Sequence, residues 1–251
     1  MIILGINAYY ADSSACLVVD GKLIAAAEEE RFRRIKHWAW FPAEAVKYCL
    51  KECCISIDRV DHIAINRNPS ANLFKKALFA FSGRPSLAAI KDRLANAGKI
   101  QDIKNVLSKE FGINSAEIKA NIHNVEHHRA HMGSSFFVSP FESAAIVSVD
   151  GFGDFASAMW GEGKGSNVAV HDQVNFPHSL GLFYLAITQY LGFMNYGDEY
   201  KVMGLAPYGK PSEMEKLRKV VFLKVKGKFE LALDYFVHHS EGVSMVWDNG
   251  E

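Results

Sequence analysis

The chain opens on an apolar run, MIILGINA, that ends in polar residues and predicts a first strand. SACLVVD alternates well enough for a second. Asp20, Gly21 and Lys22 predict a tight turn, and LIAAAEEE a third strand running back, so the start reads as a three-stranded meander. PAEAVKYCLKECC predicts an amphipathic helix with Pro42 in its first turn. DHIAINR is another strand. From about 70 to 112 the pattern turns helical and basic, in LFKKALFAFSG and SLAAIKDRLANAGKIQDIKNVLSKEF, broken at Gly83 and Pro85. This predicts an inserted helical hairpin. NIHNVE then predicts a strand and HHRAHMGSSFF a helix. SAAIVSVDGFGDFASAMWGEG reads as strand, glycine turn, strand, and SNVAVHDQV as one more strand. In SLGLFYLAITQYLGF, helical spacing places Leu180, Tyr184, Ile187 and Leu191 on the core face. A short charged helix, PSEMEKLRKV, and a hairpin, VFLKVKGKFELALDY, follow.

The order β-β-β-α-β, an insertion, and a second β-rich stretch predicts an α/β protein. It resembles the RNase H-like lobe of the actin, sugar-kinase and Hsp70 superfamily. The expected domains are a first lobe over 1–178 and the start of a second over 179–251. In that fold two turns would face a nucleotide, here NAYYADSS and VDGFGD.

Composition narrows the function classes. Of 251 residues, 49% are hydrophobic and 22% charged, with 28 basic and 28 acidic side chains. That balance speaks for a globular domain and against a non-specific nucleic-acid binder, which carries a basic excess. No apolar run approaches the ~20 residues of a membrane span. The four cysteines, Cys16, Cys49, Cys53 and Cys54, are not spaced as a disulfide framework and read as reduced thiols, which points to the cytoplasm.

The densest candidate chemistry is EHHRAH, from Glu126 to His131. His127 and His131 are four apart, so a helix puts both on one face. His128 points elsewhere. A zinc protease would carry a glutamate between its paired histidines as general base, and none stands there. Asp150, at the end of a buried strand and beside glycines, is the plausible third ligand. Two imidazoles and a carboxylate suit Fe(II), Mn(II) or Zn(II).

Three stretches together resemble the NodU-like O-carbamoyltransferases: GINAYYADSSACLVVDGKLIAAAEEERFRRIKHWAWFP, HHRAHMGSSFFVSPFESAAIVSVDGFGD and GDEYKVMGLAPYGKP. The resemblance implies an actin-like domain, akin to the tRNA threonylcarbamoyl transferases. It would take carbamoyl-adenylate, made from carbamoyl phosphate and ATP by a C-terminal YrdC-like domain, and pass the carbamoyl group to a hydroxyl of a sugar or natural product. It further implies a metal, usually iron, on His127, His131 and Asp150. Another aspartate ligand, the rest of the second lobe and the YrdC-like domain would lie past residue 251, so the chain is expected to be part of a longer protein and inactive alone. The family's usual His-Asp pair in the first turn reads Ala11-Asp12 here.

Gly151, Gly153 and Asp154 would then present backbone donors to the phosphate, and Asp12, Ser13 and Ser14 would do so from the other turn. Arg31, Lys36 or His37 would face the anionic ligand or the acceptor. Lys201 is a second cationic candidate, with Glu199 as its expected partner. The general base is left open between His128, His37 and none. Expected partners are a small-molecule acceptor and the protein's own YrdC-like domain, with no nucleic acid and no membrane; a homodimer is left open. A tRNA threonylcarbamoyl transferase-like domain and a sugar-kinase-like ATP-binding domain are the alternatives.

Overall fold

The computed structural model describes residues 1–83 and 102–242, apart from the side chains of 80–83. SLAAIKDRLANAGKI, the middle of the expected helical hairpin, lies outside the described residues. Two compact units are present, Met1–Pro69 with Lys91–Ala130 and Ser70–Ile90 with His131–Glu251. The boundary expected near residue 178 falls inside the second.

The first unit is built on five strands: β1 (Ile2–Asn7), β2 (Ser14–Val19), β3 (Lys22–Glu28), β4 (His62–Ile65) and β5 (Asn121–Asn124). Their order is β3-β2-β1-β4-β5. The meander β1–β2–β3 is antiparallel, and β1, β4 and β5 run parallel. This is the RNase H-like arrangement. Period-2 alternation explains the register of its core: Leu4, Ile6, Leu17, Ile63 and Ile65 point to one packed interior while their neighbours are partly exposed. Helix α1 is the single turn Glu30–Arg33. Helix α2 (Ala43–Glu52) covers β2 and β3 through Val46, Cys49 and Leu50.

In EEERFRRIKH residues 31–36 are exposed, but the two carboxylates before them, Glu29 and Glu30, are buried. Glu29 is fully buried. Its carboxylate accepts the Glu44 and Ala45 N–H groups at 3.2 and 2.8 Å and the Arg33 Nε–H at 2.9 Å. Those two amides are among the orphan donors of the first turn of α2, where the helix dipole also favours an anion. Beyond α3 (Leu73–Gly83), helix α4 (Ile103–Phe111) returns to this core through Ile103 and Leu107. All four cysteines are free thiols.

Helix α5 (His127–Phe136) leads into the second unit, whose main sheet is the antiparallel meander β6 (Ser143–Gly153), β7 (Ala156–Lys164) and β8 (Asn167–Asn175). Met132 and Phe136 of α5 pack with Ile146 of β6 and Met159 of β7. Helix α6 (Leu180–Tyr190) lies against β6. Its buried side chains are Leu185, Thr188 and Gln189, whereas Tyr184 and Leu191 are exposed. The inward stripe is thus rotated from the expected face, because polar Thr188 and Gln189 point inward. Helix α7 (Glu199–Leu205) and the antiparallel pair β9 (Val221–Leu223) and β10 (Phe229–Leu231) complete the second unit's main elements.

Candidate metal and acyl-transfer site

The histidine motif is helical, as its spacing required. Glu126 starts α5: its carbonyl accepts the Ala130 N–H at 2.9 Å and its carboxylate the Arg129 N–H at 2.8 Å. His127 and His131 then stand one turn apart on one helix face. His128 turns the other way and is fully buried, so it is not presented to an acceptor from solvent. Met132, fully buried on the β6–β7 sheet, fixes the helix beside His131.

Asp150 comes to this helix from the end of β6. The β6–β7 register runs regularly to Val149 opposite Ala158 and resumes at Gly153 opposite Ala156, with an irregularity between. Such a bulge re-aims the side chains it contains. Asp150 Oδ2 lies 3.4 Å from His131 Nε2, and with His127 these residues form a potential metal-ligating set. The donors fit a divalent ion of the Fe(II), Mn(II) or Zn(II) type, since they offer two imidazole nitrogens and a hard carboxylate.

The backbone at Asp150 is held from α6. Ser179 is fully buried and caps that helix, accepting the Leu182 N–H at 3.0 Å. Two residues on, Gly181 allows a close approach: a Cβ there would stand 2.6 Å from the Gly151 nitrogen and 2.7 Å from the Asp150 carbonyl oxygen.

The tip of the hairpin departs from expectation. Its two left-handed residues are Asp154 and Phe155, at φ 48° and 78°, as a two-residue turn of the primed kind requires. Gly151 and Gly153 both precede the tip, in β6, and neither is at positive φ. The Gly151 N–H goes to Asp150 Oδ1 at 2.6 Å. Phe155 is held by ring contacts with Phe79 and Phe176, and the Asp154 carbonyl accepts from Asn72 Nδ2 at 3.0 Å. Asn72, a residue the sequence reading missed, braces this turn and accepts from Gln173 Nε2 through its own Oδ1. A lone Asn before a helix gives no such signal.

In the first unit, Ser13 has its donors engaged internally. Its N–H goes to the Trp38 carbonyl, and its hydroxyl to the carbonyls of Tyr10 and Trp40. It buttresses the turn instead of offering donors to a phosphate. Ser14 opens β2, in register with Asn7 and Glu28. Asp12 Oδ1 meets His37 Nδ1 at 2.8 Å. Lys36 reaches Glu30 Oε1 at 2.8 Å, and this ammonium holds the Glu30 carboxyl below its ordinary range. Arg31 pairs with Glu28 in an exposed contact. The Tyr10 ring lies 6.1 Å from that of His127, which ties the first turn to the start of α5.

Lys201 pairs with Asp198 at 2.6 Å, not with Glu199. Asp198 precedes α7, and a three-residue separation brings its carboxylate beside Lys201. The bond lowers the Asp198 pKa and raises that of Lys201.

Comparison with known proteins identifies the family. Residues 2–248 match the family described as carbamoyltransferase N-terminus. The uncharacterized protein sll1178 of Synechocystis is 41% identical over 97% of this chain and 40% of its own length. Nodulation protein NolNO of Sinorhizobium fredii is 36% identical over 91% of this chain and 32% of its own. The chain therefore spans less than half of either relative. YeaZ from Pseudomonas aeruginosa aligns over 68% of this chain and 64% of its own, at 14% identity and a TM-score of 0.36. Among the described residues no helix is long and apolar enough to cross a membrane. With a family match over nearly its whole length, the chain belongs to the carbamoyltransferase N-terminal family.

Proposed function

We propose that this chain is the acyl-transfer domain of an O-carbamoyltransferase, passing a carbamoyl group from carbamoyl-adenylate to a hydroxyl of a sugar or natural-product acceptor. The observation that carries the reading is the set His127, His131 and Asp150 in a chain that matches carbamoyltransferase N-termini from residue 2 to residue 248. The two histidines and the aspartate would hold a divalent ion, Fe(II) before Mn(II) or Zn(II). When bound, that ion supplies Lewis acidity toward the oxygen where charge grows during acyl transfer.

The chain's own residues do the rest. Ser179 and the Gly181 contact fix the backbone of Asp150, so the carboxylate is positioned before any ligand arrives. Asn72 and Gln173 hold the hairpin next to it. ATP and carbamoyl phosphate enter through a YrdC-like domain that forms the adenylate, in the cytoplasm.

The test is a titration of metal-stripped protein with Mn(II), following free ion by EPR, beside the His127→Ala/His131→Ala double variant and Asp150→Asn. One saturable site, lost in both variants, is the expected result. Equal binding by all three proteins would remove the metal from this reading.

A further inference from the structure

We propose that His62 and His123 form a further metal-binding site, a two-imidazole chelate on the first unit. It takes a divalent ion of right-angle geometry, of the Cu(II) or Ni(II) class. The site does not depend on the carbamoyl-transfer reading and shares no residue with His127, His131 and Asp150.

The sheet brings the two rings together. Strands β4 and β5 run parallel, with His62 opposite Asn121 and Ala64 opposite His123. His62 and Ala64 share a face of β4, so His62 and His123 stand on the same face of the sheet, two steps apart on neighbouring strands. Alternation sends Ile63, Ile65 and Ile122 toward the core, which leaves the imidazoles on the opposite side. The register is pinned at both ends. The Asn121 N–H bonds the Asp61 carbonyl at 3.0 Å, and the Val125 N–H bonds the Ile65 carbonyl at 2.8 Å. Ligands carried on paired strands hold their spacing better than ligands on a loop.

The ring nitrogens converge. His62 Nδ1 and His123 Nε2 are 2.9 Å apart, and the ring centroids 5.0 Å. Without an ion, one nitrogen donates its proton to the lone pair of the other. Among the described residues this is the one hydrogen bond that either imidazole makes, and it is exposed to solvent.

That separation selects the ion. At a metal–nitrogen distance of about 2.0–2.1 Å, two ligands at a right angle stand about 2.9 Å apart, and two at the tetrahedral angle about 3.3–3.4 Å. The observed spacing therefore suits a square-planar or tetragonal ion without movement of either ring, whereas Zn(II) would have to spread the pair. Affinity for nitrogen donors also rises through Ni(II) to Cu(II), with Mn(II) at the bottom of the order. Among the described residues no third imidazole, thiol or carboxylate joins the pair, so water fills the remaining positions.

Ligation needs both lone pairs. The proton between the rings moves through solvent to the outer nitrogen of the ring that carried it, from His62 Nδ1 to Nε2 or from His123 Nε2 to Nδ1. Both imidazoles stay neutral. Two metal–nitrogen bonds replace one hydrogen bond and two metal–water bonds. The bound ion ties β5 to β4. Strand β5 is four residues long, pairs only with β4 among the described residues, and leads directly into α5.

The test is calorimetric titration with Ni(II) of the full chain carrying His127→Ala and His131→Ala, which removes the other paired imidazoles. Ni(II) is the probe because, unlike Cu(II), it does not oxidise the free thiols. One saturable site is expected. His62→Gln and His123→Gln should each weaken it about 100-fold, the worth of a second ligand that binds intramolecularly, while His171→Gln leaves it unchanged. A second readout needs no substitution at the pair. Substoichiometric Ni(II), which is paramagnetic, should broaden the His62 and His123 ring signals in 15N spectra before those of the other histidines, and Mn(II) at the same concentration should leave them sharp. Affinity unaffected by either substitution, broadening that begins at other rings, or equal broadening by Mn(II) would overturn the proposal.

Discussion

The Ser179 hydroxyl bonds the carbonyl oxygens of Asp150 and Gly151, at 3.1 and 2.8 Å, while capping α6. One buried side chain thus joins the end of β6 to the start of α6, at the point where the candidate carboxylate leaves the sheet. Ser179→Ala removes both bonds. Loss of the cap alone costs about 1 kcal/mol. Mn(II) affinity should also fall, by about 10-fold or more, as for other groups that orient a metal ligand. A titration by EPR beside a thermal melt separates the two, and unchanged affinity would refute the positioning role.

Gly181→Ala probes the same junction by steric means. The added Cβ would press on the Asp150 and Gly151 backbone at under 3 Å, where no flexible side chain can yield. The expectation is a lower melting temperature and weaker Mn(II) binding, with larger effects than Ser179→Ala on both. A variant that binds as well as wild type would show that Asp150 tolerates a backbone shift.

Replacing Glu29 should cost fold stability before it touches chemistry. Glu29→Ala leaves two amides at the start of α2 without their buried acceptor, a loss of about 1–3 kcal/mol. The Arg33 contribution is small, because its guanidinium is well exposed. Urea unfolding reads the change. A value indistinguishable from wild type would mean that water takes over the carboxylate's bonds.

Acid should weaken the second unit. Burial lowers the pKa of His178, which accepts the Leu231 N–H on Nδ1, and of His238, which bonds the Pro177 carbonyl. A histidine whose folded pKa is depressed binds more protons unfolded than folded. Its stabilisation is complete above the ordinary value of 6.5 and is lost as pH falls below it, through the folded pKa. The urea midpoint should drop from pH 8 to pH 5.5. His238→Phe, which keeps a ring among Phe152, Phe176 and Phe236, should flatten that slope. An unaltered slope would assign the effect to other groups.

Much of this molecule can be read from local pattern. The meander, the parallel strands and the histidine helix follow from alternation and spacing, because each half-buried strand or helix imposes its own period. What escaped depends on partners distant in sequence. Glu29 looks like one of a charged run, and only the later start of α2 explains its burial. Glycines in VDGFGD suggest the turn, but the left-handed positions are Asp154 and Phe155, held by Phe79 and Phe176. Lys201 chose Asp198 over Glu199 because a three-residue helical spacing, and not adjacency in sequence, brings side chains together. The Asp12–His37 pair had no sequence signal, since nothing local links a turn to a loop 25 residues on.

The strand order of the first unit also bears on how the chain reaches its native state. The antiparallel pairs β1–β2 and β2–β3 join neighbours in sequence, so they close small loops and can form early. The parallel pairs β1–β4 and β4–β5 must wait for long intervening segments, and the second of these brackets residues 66–120. Until they form, one edge of β1 offers unpaired backbone to other chains. A nascent chain is therefore most prone to association in that interval, and lengthening the segment before β5 would prolong it.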